Sequence, residues 1–189
     1  MSQPFFTVGH SNRALDAFVG LLKELESDLL VDVRTIPRSR ANPQFNREVL
    51  PASLSPYGIA YEHIAALGGL RRRQPVAGHI NAFWDNESFH NYADYAMGEE
   101  FRAGFEKLRV LGAGARAAVM CAESAWQRCH RRIIADYLIA AGEEVWHILG
   151  FGKIELARLT PAARQGPHGA LVYPKEGAQL DLLGPVSER

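Results

Sequence analysis

"RAAVMCAESAWQRCHRRIIADYLIAAGEEVWHIL", residues 116–149, decides the fold. Its opening, "RAAVMCA" (116–122), is a short apolar run of the kind that forms a buried strand. A polar loop follows, and then Ile133, Ile134, Tyr137, Leu138 and Ala141 recur at helical spacing up to Gly142, a helix-terminating residue. "EVWHIL" (144–149) is again short, apolar and β-branched, so the stretch reads strand, loop, helix, strand. That succession is the repeating unit of a parallel sheet, because parallel neighbours need a long crossover between them.

The same alternation extends to the N-terminal side. "PFFTV" (4–8), "LLVDV" (29–33) and "IAYEHI" (59–64) read as strands. Leu15, Phe18, Val19, Leu22 and Leu25 place a helix between the first two, with Ser11 or Asn12 available to cap it. "REVLPASLSPYG" (47–58) predicts a short helix that Pro51 weakens. Phe89, Tyr92, Ala93 and Ala96 predict another, which Phe101, Phe105, Leu108 and Leu111 extend or follow with a second. In the last segment, "GALVYP", "KEG" and "AQLDLL" read as a hairpin. The expected fold is therefore α/β: a three-layer domain with a mostly parallel, Rossmann-like sheet over residues 1–150, and a C-terminal extension, 151–189, carrying the hairpin and packed on the core.

With 189 residues the chain suits one such domain, and its hydrophobic share of 47% and charged share of 22% are ordinary for a globular protein. No apolar run reaches membrane-spanning length, so no membrane partner is expected. "MSQPFFTVGH" lacks a basic region before an apolar stretch, so no signal peptide is expected; with only two cysteines the expected setting is a reducing cytoplasm. Zero net charge argues against general affinity for nucleic acid. Of the 21 basic residues 17 are Arg, a bias that fits either a GC-rich genome or planar recognition of phosphate and carboxylate.

Position favours a site. Ligands of open parallel sheets bind beyond the carboxyl ends of the strands. The first strand runs into Gly9, His10, Ser11, Asn12 and Arg13; the second into Asp32, Arg34, Arg38, Arg40, Asn42 and Asn46; the fourth into Cys121, Glu123, Arg128, Cys129, His130 and Arg131. Cys121 is the candidate thiolate nucleophile, with Glu123 and His10 to move protons. Arg34, Arg38, Arg131 and the amides around Ser11 and Asn12 are candidates to hold an anion. Asp32 is expected to orient Arg34 or act as a base, Asn42 and Asn46 are candidates to read base or ribose, and Cys129 and His130 complete the candidate substrate-binding set.

Each assignment has a plainer counterpart. A cysteine after "AAVM" is as readily a packed, inert thiol. A phosphatase loop would need an arginine six positions after Cys121, where Gln127 stands. Cys121, Cys129, His130 and His10 are the available zinc-type ligands, but their intervals lack the short paired spacing of a structural zinc site, so no residue is assigned to a metal. A Cys121–Cys129 disulfide would act as a switch and requires the loop to fold back. "RRR" (71–73) is a solvated surface or a backbone grip on a polynucleotide, and the aromatics Phe83, Trp84, Phe89, Tyr92 and Tyr95 have the spacing of core residues.

"TVGHSNRALDAFVGLL", "LLVDVRTIPRSRANPQFN", "GIAYEHIAALGG", "SFHNYADYA", "VMCAESAWQRCHRRIIADYL" and "LTPAAR", taken in order, resemble the family called domain of unknown function 488 over residues 6–174. The resemblance implies a compact bacterial or archaeal cytosolic α/β protein and assigns no reaction. Its hallmark stretches fall on the three loops above, with Pro37 and Phe45 added, and Pro51 departs from its plain helix. The leading expectation is an enzyme acting on a phosphate-bearing small molecule or nucleotide with cysteine-based chemistry. A nucleic-acid or nucleotide binding module using Arg38, Arg40 and Arg71 to Arg73, and a metal-binding or thiol redox protein, are the alternatives. Cofactor and oligomeric state are not assigned.

Overall fold

The computed structural model describes residues 3–177. Five parallel strands, β1 (Phe5–Gly9), β2 (Leu29–Asp32), β3 (Ala60–His63), β4 (Ala117–Cys121) and β5 (Val145–Gly150), stand in the order β3-β2-β4-β1-β5. A sixth, β6 (Lys153–Leu156), adds to β5 antiparallel, so the first part of the extension belongs to the main sheet. Its "KIEL" is exposed at all four positions and carries no burial pattern from which a strand would be read.

Side chains alternate across the sheet and sort into two cores. On one side α1 (Leu15–Glu24) and α2 (Leu50–Leu54) lay Phe18, Leu22, Leu50 and Leu54 against Phe6, Val8, Leu30 and Met120. On the other, α3 (Glu87–Ala96), α4 (Glu99–Ala113) and α5 (Arg131–Ala140) lay Tyr92, Phe101, Leu108, Ile133 and Leu138 against Phe5, Val31 and Val119. The result is the expected three-layer, mostly parallel α/β arrangement. The aromatic run of α3 is core: Tyr92 is fully buried, and Tyr95 and Trp84 nearly so.

The structure corrects one local expectation and resolves three others. Neither Ser11 nor Asn12 caps α1; Ala14 holds that position without a side-chain bond, and Ser11 sits in a turn at φ 51°. Packing offsets the loss: a missing cap costs ~1 kcal/mol, whereas burying each large apolar side chain contributes about 1.5–3 kcal/mol. Pro51 does not break its helix, because α2 starts at Leu50 and proline is tolerated in a first turn. The second aromatic stretch is a separate helix, since the chain turns at Met97 and Gly98 between α3 and α4. The C-terminal hairpin exists with another partner: β8 (Leu171–Val172) pairs with β7 (Arg164–Gln165), and the proposed arm "AQLDLL" lies outside the described residues. Tyr173, just past β8, is buried and donates to the Asp136 carboxylate of α5 at 3.1 Å. Among the described residues no helix is long and apolar enough to cross a membrane.

Within the sheet, His147 of β5 stands beside Thr7 of β1, its Nδ1 2.7 Å from the threonine Oγ1, with the Trp126 ring stacked on it at 4.1 Å. Burial, helped by the Arg131 charge, lowers the imidazole from 6.5 to about 4. Between those values the unfolded chain takes up a proton that the folded chain refuses, so stability falls as the pH drops through this window. At pH 5 this group should cost about 2 kcal/mol relative to neutral pH. Urea unfolding of H147Q at both pH values should show a loss smaller by about that amount; an unchanged loss would show that the imidazole is not the source.

Candidate functional site

The strand order places β2, β4 and β1 side by side, so their carboxyl ends are neighbours. The chain beyond them stays tied: His10 N–H donates to Cys121 C=O, Ser11 N–H to Ala122 C=O and Val33 N–H to Met120 C=O, each at 2.9 Å. Gly9 is required for this crossing, because a Cβ there would stand 2.0 Å from the carbonyl oxygen of Glu123.

Beneath the rim lies a buried ion pair. Arg34 Nε donates to both Asp32 oxygens at 2.9 and 3.1 Å, and its Nη2 donates to Asp32 Oδ2 and to Phe45 C=O, each at 2.6 Å. Arg34 Nη1 donates to His10 Nε2 at 3.2 Å, and Tyr61 Oη donates to Asp32 at 2.7 Å. Burial opposes the Arg34 charge, but the bonds to Asp32 hold its pKa above the ordinary value. His10 is driven the other way: burial first, then the charges of Arg34 and Arg131, lower it to about 4 against a bond to the Ser11 carbonyl. The neutral ring donates from Nδ1 to Ser11 C=O at 2.7 Å and stacks on Phe45 at 4.3 Å.

On the other side of β4 the two sulfurs meet an imidazole. The ligand atoms of Cys121, Cys129 and His130 lie within 4.8 Å of one another. His130 Nδ1 is 3.6 Å from Cys129 Sγ and 3.9 Å from Cys121 Sγ, while its Nε2 lies 3.0 Å from the Val33 carbonyl, to which it donates. Gly69 lies against the ring face, where a Cβ would come within 2.4 Å of Nδ1. Arg131, 1% exposed at the start of α5, donates from Nε to Cys129 Sγ at 3.2 Å and from Nη2 to Glu123 C=O. The thiols are driven apart. The bond to Cys129, then burial, push Cys121 up; burial would raise Cys129 too, but the bond from Cys121 and the nearby Arg131 charge bring it well below its ordinary value. The geometry thus favours the anion on Cys129.

These groups open onto a cavity of about 630 Å³. Of the residues singled out in the sequence, Arg34, Cys121, Glu123, Cys129 and His130 line it. Asp32, His10 and Arg131 support the lining residues from behind through the bonds above. Five others are elsewhere: Arg38 pairs with Glu48 at 2.6 Å on the surface, Asn46 accepts from Ser39 N–H, Asn42 N–H donates to the Ser39 hydroxyl, and the Ser11 hydroxyl donates to Asn12. The sequence reading missed Ile36, Leu70, Asn86, Ser88, Phe89 and Gln127, which also line the cavity, and gave Arg128 no role. Ile36 and Leu70 are 64% and 72% exposed, which the sequence does not display.

A model of the family described as Domain of unknown function DUF488 matches residues 14–138. The chain belongs to this family. The DUF488 match runs from the approach to α1 into α5, so it takes in every residue lining the cavity and leaves out His10. No curated protein and no solved structure matches the chain.

The buried pair sets the first test of this DUF488 site. D32A should destabilise the fold by about 3–5 kcal/mol, because it leaves the Arg34 charge buried without its partner. R38A, which breaks a solvent-exposed pair, should leave the unfolding free energy unchanged. Urea denaturation of the two variants separates a structural arginine from a surface one.

Proposed function

We propose that the protein is an enzyme acting on a phosphate-bearing small molecule of nucleotide type, held in the 630 Å³ cavity above Cys121, Cys129 and His130. One observation carries this reading: sulfur, imidazole, carboxylate and guanidinium converge on the wall of a single cavity at the carboxyl end of a parallel sheet. The cavity is two-sided in character. Ile36, Leu70 and Phe89 form apolar walls suited to a flat base, while Arg128, whose guanidinium has no hydrogen bond or ion pair among the described residues, supplies a cation for phosphate. Glu123, whose carboxylate accepts from Ala125 N–H at 3.0 Å, is the acid–base candidate on the same wall. Cys121 and Cys129 on the cavity lining support cysteine-based chemistry on such a guest.

The polynucleotide-binding reading is less well supported. Arg38 is committed to Glu48, and Arg71 is committed to the carbonyls of Gly68 and Ala65 and to the Tyr95 ring, with its guanidinium 3.8 Å from the ring centre.

Calorimetry with adenosine monophosphate, ribose 5-phosphate and inorganic phosphate tests the proposal. Saturable binding of a phosphorylated probe is expected, weakened about tenfold in R128Q, the effect of losing one charge-assisted contact. C129S should retain that binding and lose turnover. Absence of saturable binding by all three probes would overturn the reading.

A further inference from the structure

We propose that Cys121, Cys129 and His130 form a three-ligand site for a divalent metal ion of zinc type, with the fourth coordination position opening into the cavity. The proposal concerns the same cavity but does not depend on its guest.

The distances carry it. With bonds of about 2.3 Å to sulfur and about 2.0 Å to nitrogen, a tetrahedral ion sets its S···N edges at about 3.5 Å and its S···S edge at about 3.8 Å. The observed S···N separations are 3.6 and 3.9 Å, and all three donor atoms fall within 4.8 Å of one another. Closing the triangle on an ion therefore takes adjustments of tenths of an ångström at the S···N edges and of at most about 1 Å at the S···S edge, within the reach of side-chain torsions.

The surroundings are those a metal ligand needs. Binding through Nδ1 requires its lone pair to be free, and the Nε2–H bond to the Val33 carbonyl selects that tautomer. The Gly69 backbone fixes the plane of the ring. Arg131 Nε–H points at Cys129 Sγ and favours the thiolate that a metal binds. Three protein ligands of mixed sulfur and nitrogen type, with one position open to a cavity, is the pattern of catalytic rather than structural zinc. The ligands come from the end of β4 and the entry to α5, so their separation in sequence has none of the short pairing of a zinc finger. His10, the other histidine weighed for such a site, is bonded to Arg34 and Ser11 instead.

The chain contains only two cysteines, so any thiolate–metal signal must come from this site. The reduced full-length protein would be titrated with Co²⁺ under anaerobic conditions and then with Zn²⁺. One equivalent of Co²⁺ should produce thiolate-to-cobalt charge-transfer absorption and intense tetrahedral d–d bands, which Zn²⁺ abolishes. C121S and C129S should each lose the charge-transfer intensity by half or more, and R38A should keep it. As a check free of folding effects, one equivalent of Zn²⁺ should slow iodoacetamide alkylation of both cysteines in the unaltered protein at least tenfold, and chelator should reverse it. Octahedral, weakly absorbing cobalt, or alkylation rates indifferent to Zn²⁺, would overturn the proposal. Phosphate or nucleotide binding could still be found in that case, so failure here is distinct from failure of the substrate reading.

Discussion

The rim of this sheet depends on the buried pair between Asp32 and Arg34. The carboxylate is wholly enclosed and the guanidinium nearly so, and every Arg34 nitrogen in the side chain has a partner. Those partners lie on three different segments: the end of β2, the turn after β1 and the Phe45 carbonyl of the long loop. Tyr61 of β3 adds a further bond to Asp32, and His63 reaches the Arg34 carbonyl at 2.8 Å. A charge placed in such surroundings is costly unless fully paired, which makes the geometry nearly unique: other loop positions leave it short of partners. The long loop after β2 is held in this way without a helix or strand of its own over residues 34–42.

Arginine is thereby used in two ways. Arg34, Arg71 and Arg131 spend their donors on the protein itself, on carboxylate, carbonyl and sulfur acceptors. The planar fork suits this work, since it satisfies several acceptors from one permanently charged group. Arg128, on the turn before α5, is the guanidinium left at the cavity for a guest.

The two faces of β4 divide the polar residues as well. Asp32, His10 and Phe45 belong to the side of α1, where imidazole and carboxylate are buried. Cys121 belongs to the side of α3 and α5, where Cys129 and His130 meet it and the cavity opens. This separation explains why the two histidines after strand ends differ so much: His10 is a neutral prop under the rim, and His130 faces sulfur.

The parallel sheet, its five strands and the loops beyond them were legible in the sequence, because buried strands and amphipathic helices write their period directly into the order of apolar residues. Nearness of the first, second and fourth loops was legible only as an expectation; strand order, which inserts β4 between β2 and β1, made it a fact. Pairings at long sequence separation were not legible. The bond of Arg34 to His10, that of Tyr61 to Asp32, that of His130 to the Val33 carbonyl, and the joining of Ile36, Leu70 and Cys121 in one cavity wall all depend on what the folded chain brings alongside. The sequence determined which elements form, since that is a matter of local periodicity and turn chemistry. Only the tertiary structure decided which polar groups are spent on one another and which face the cavity, since that depends on contacts between residues far apart in the chain.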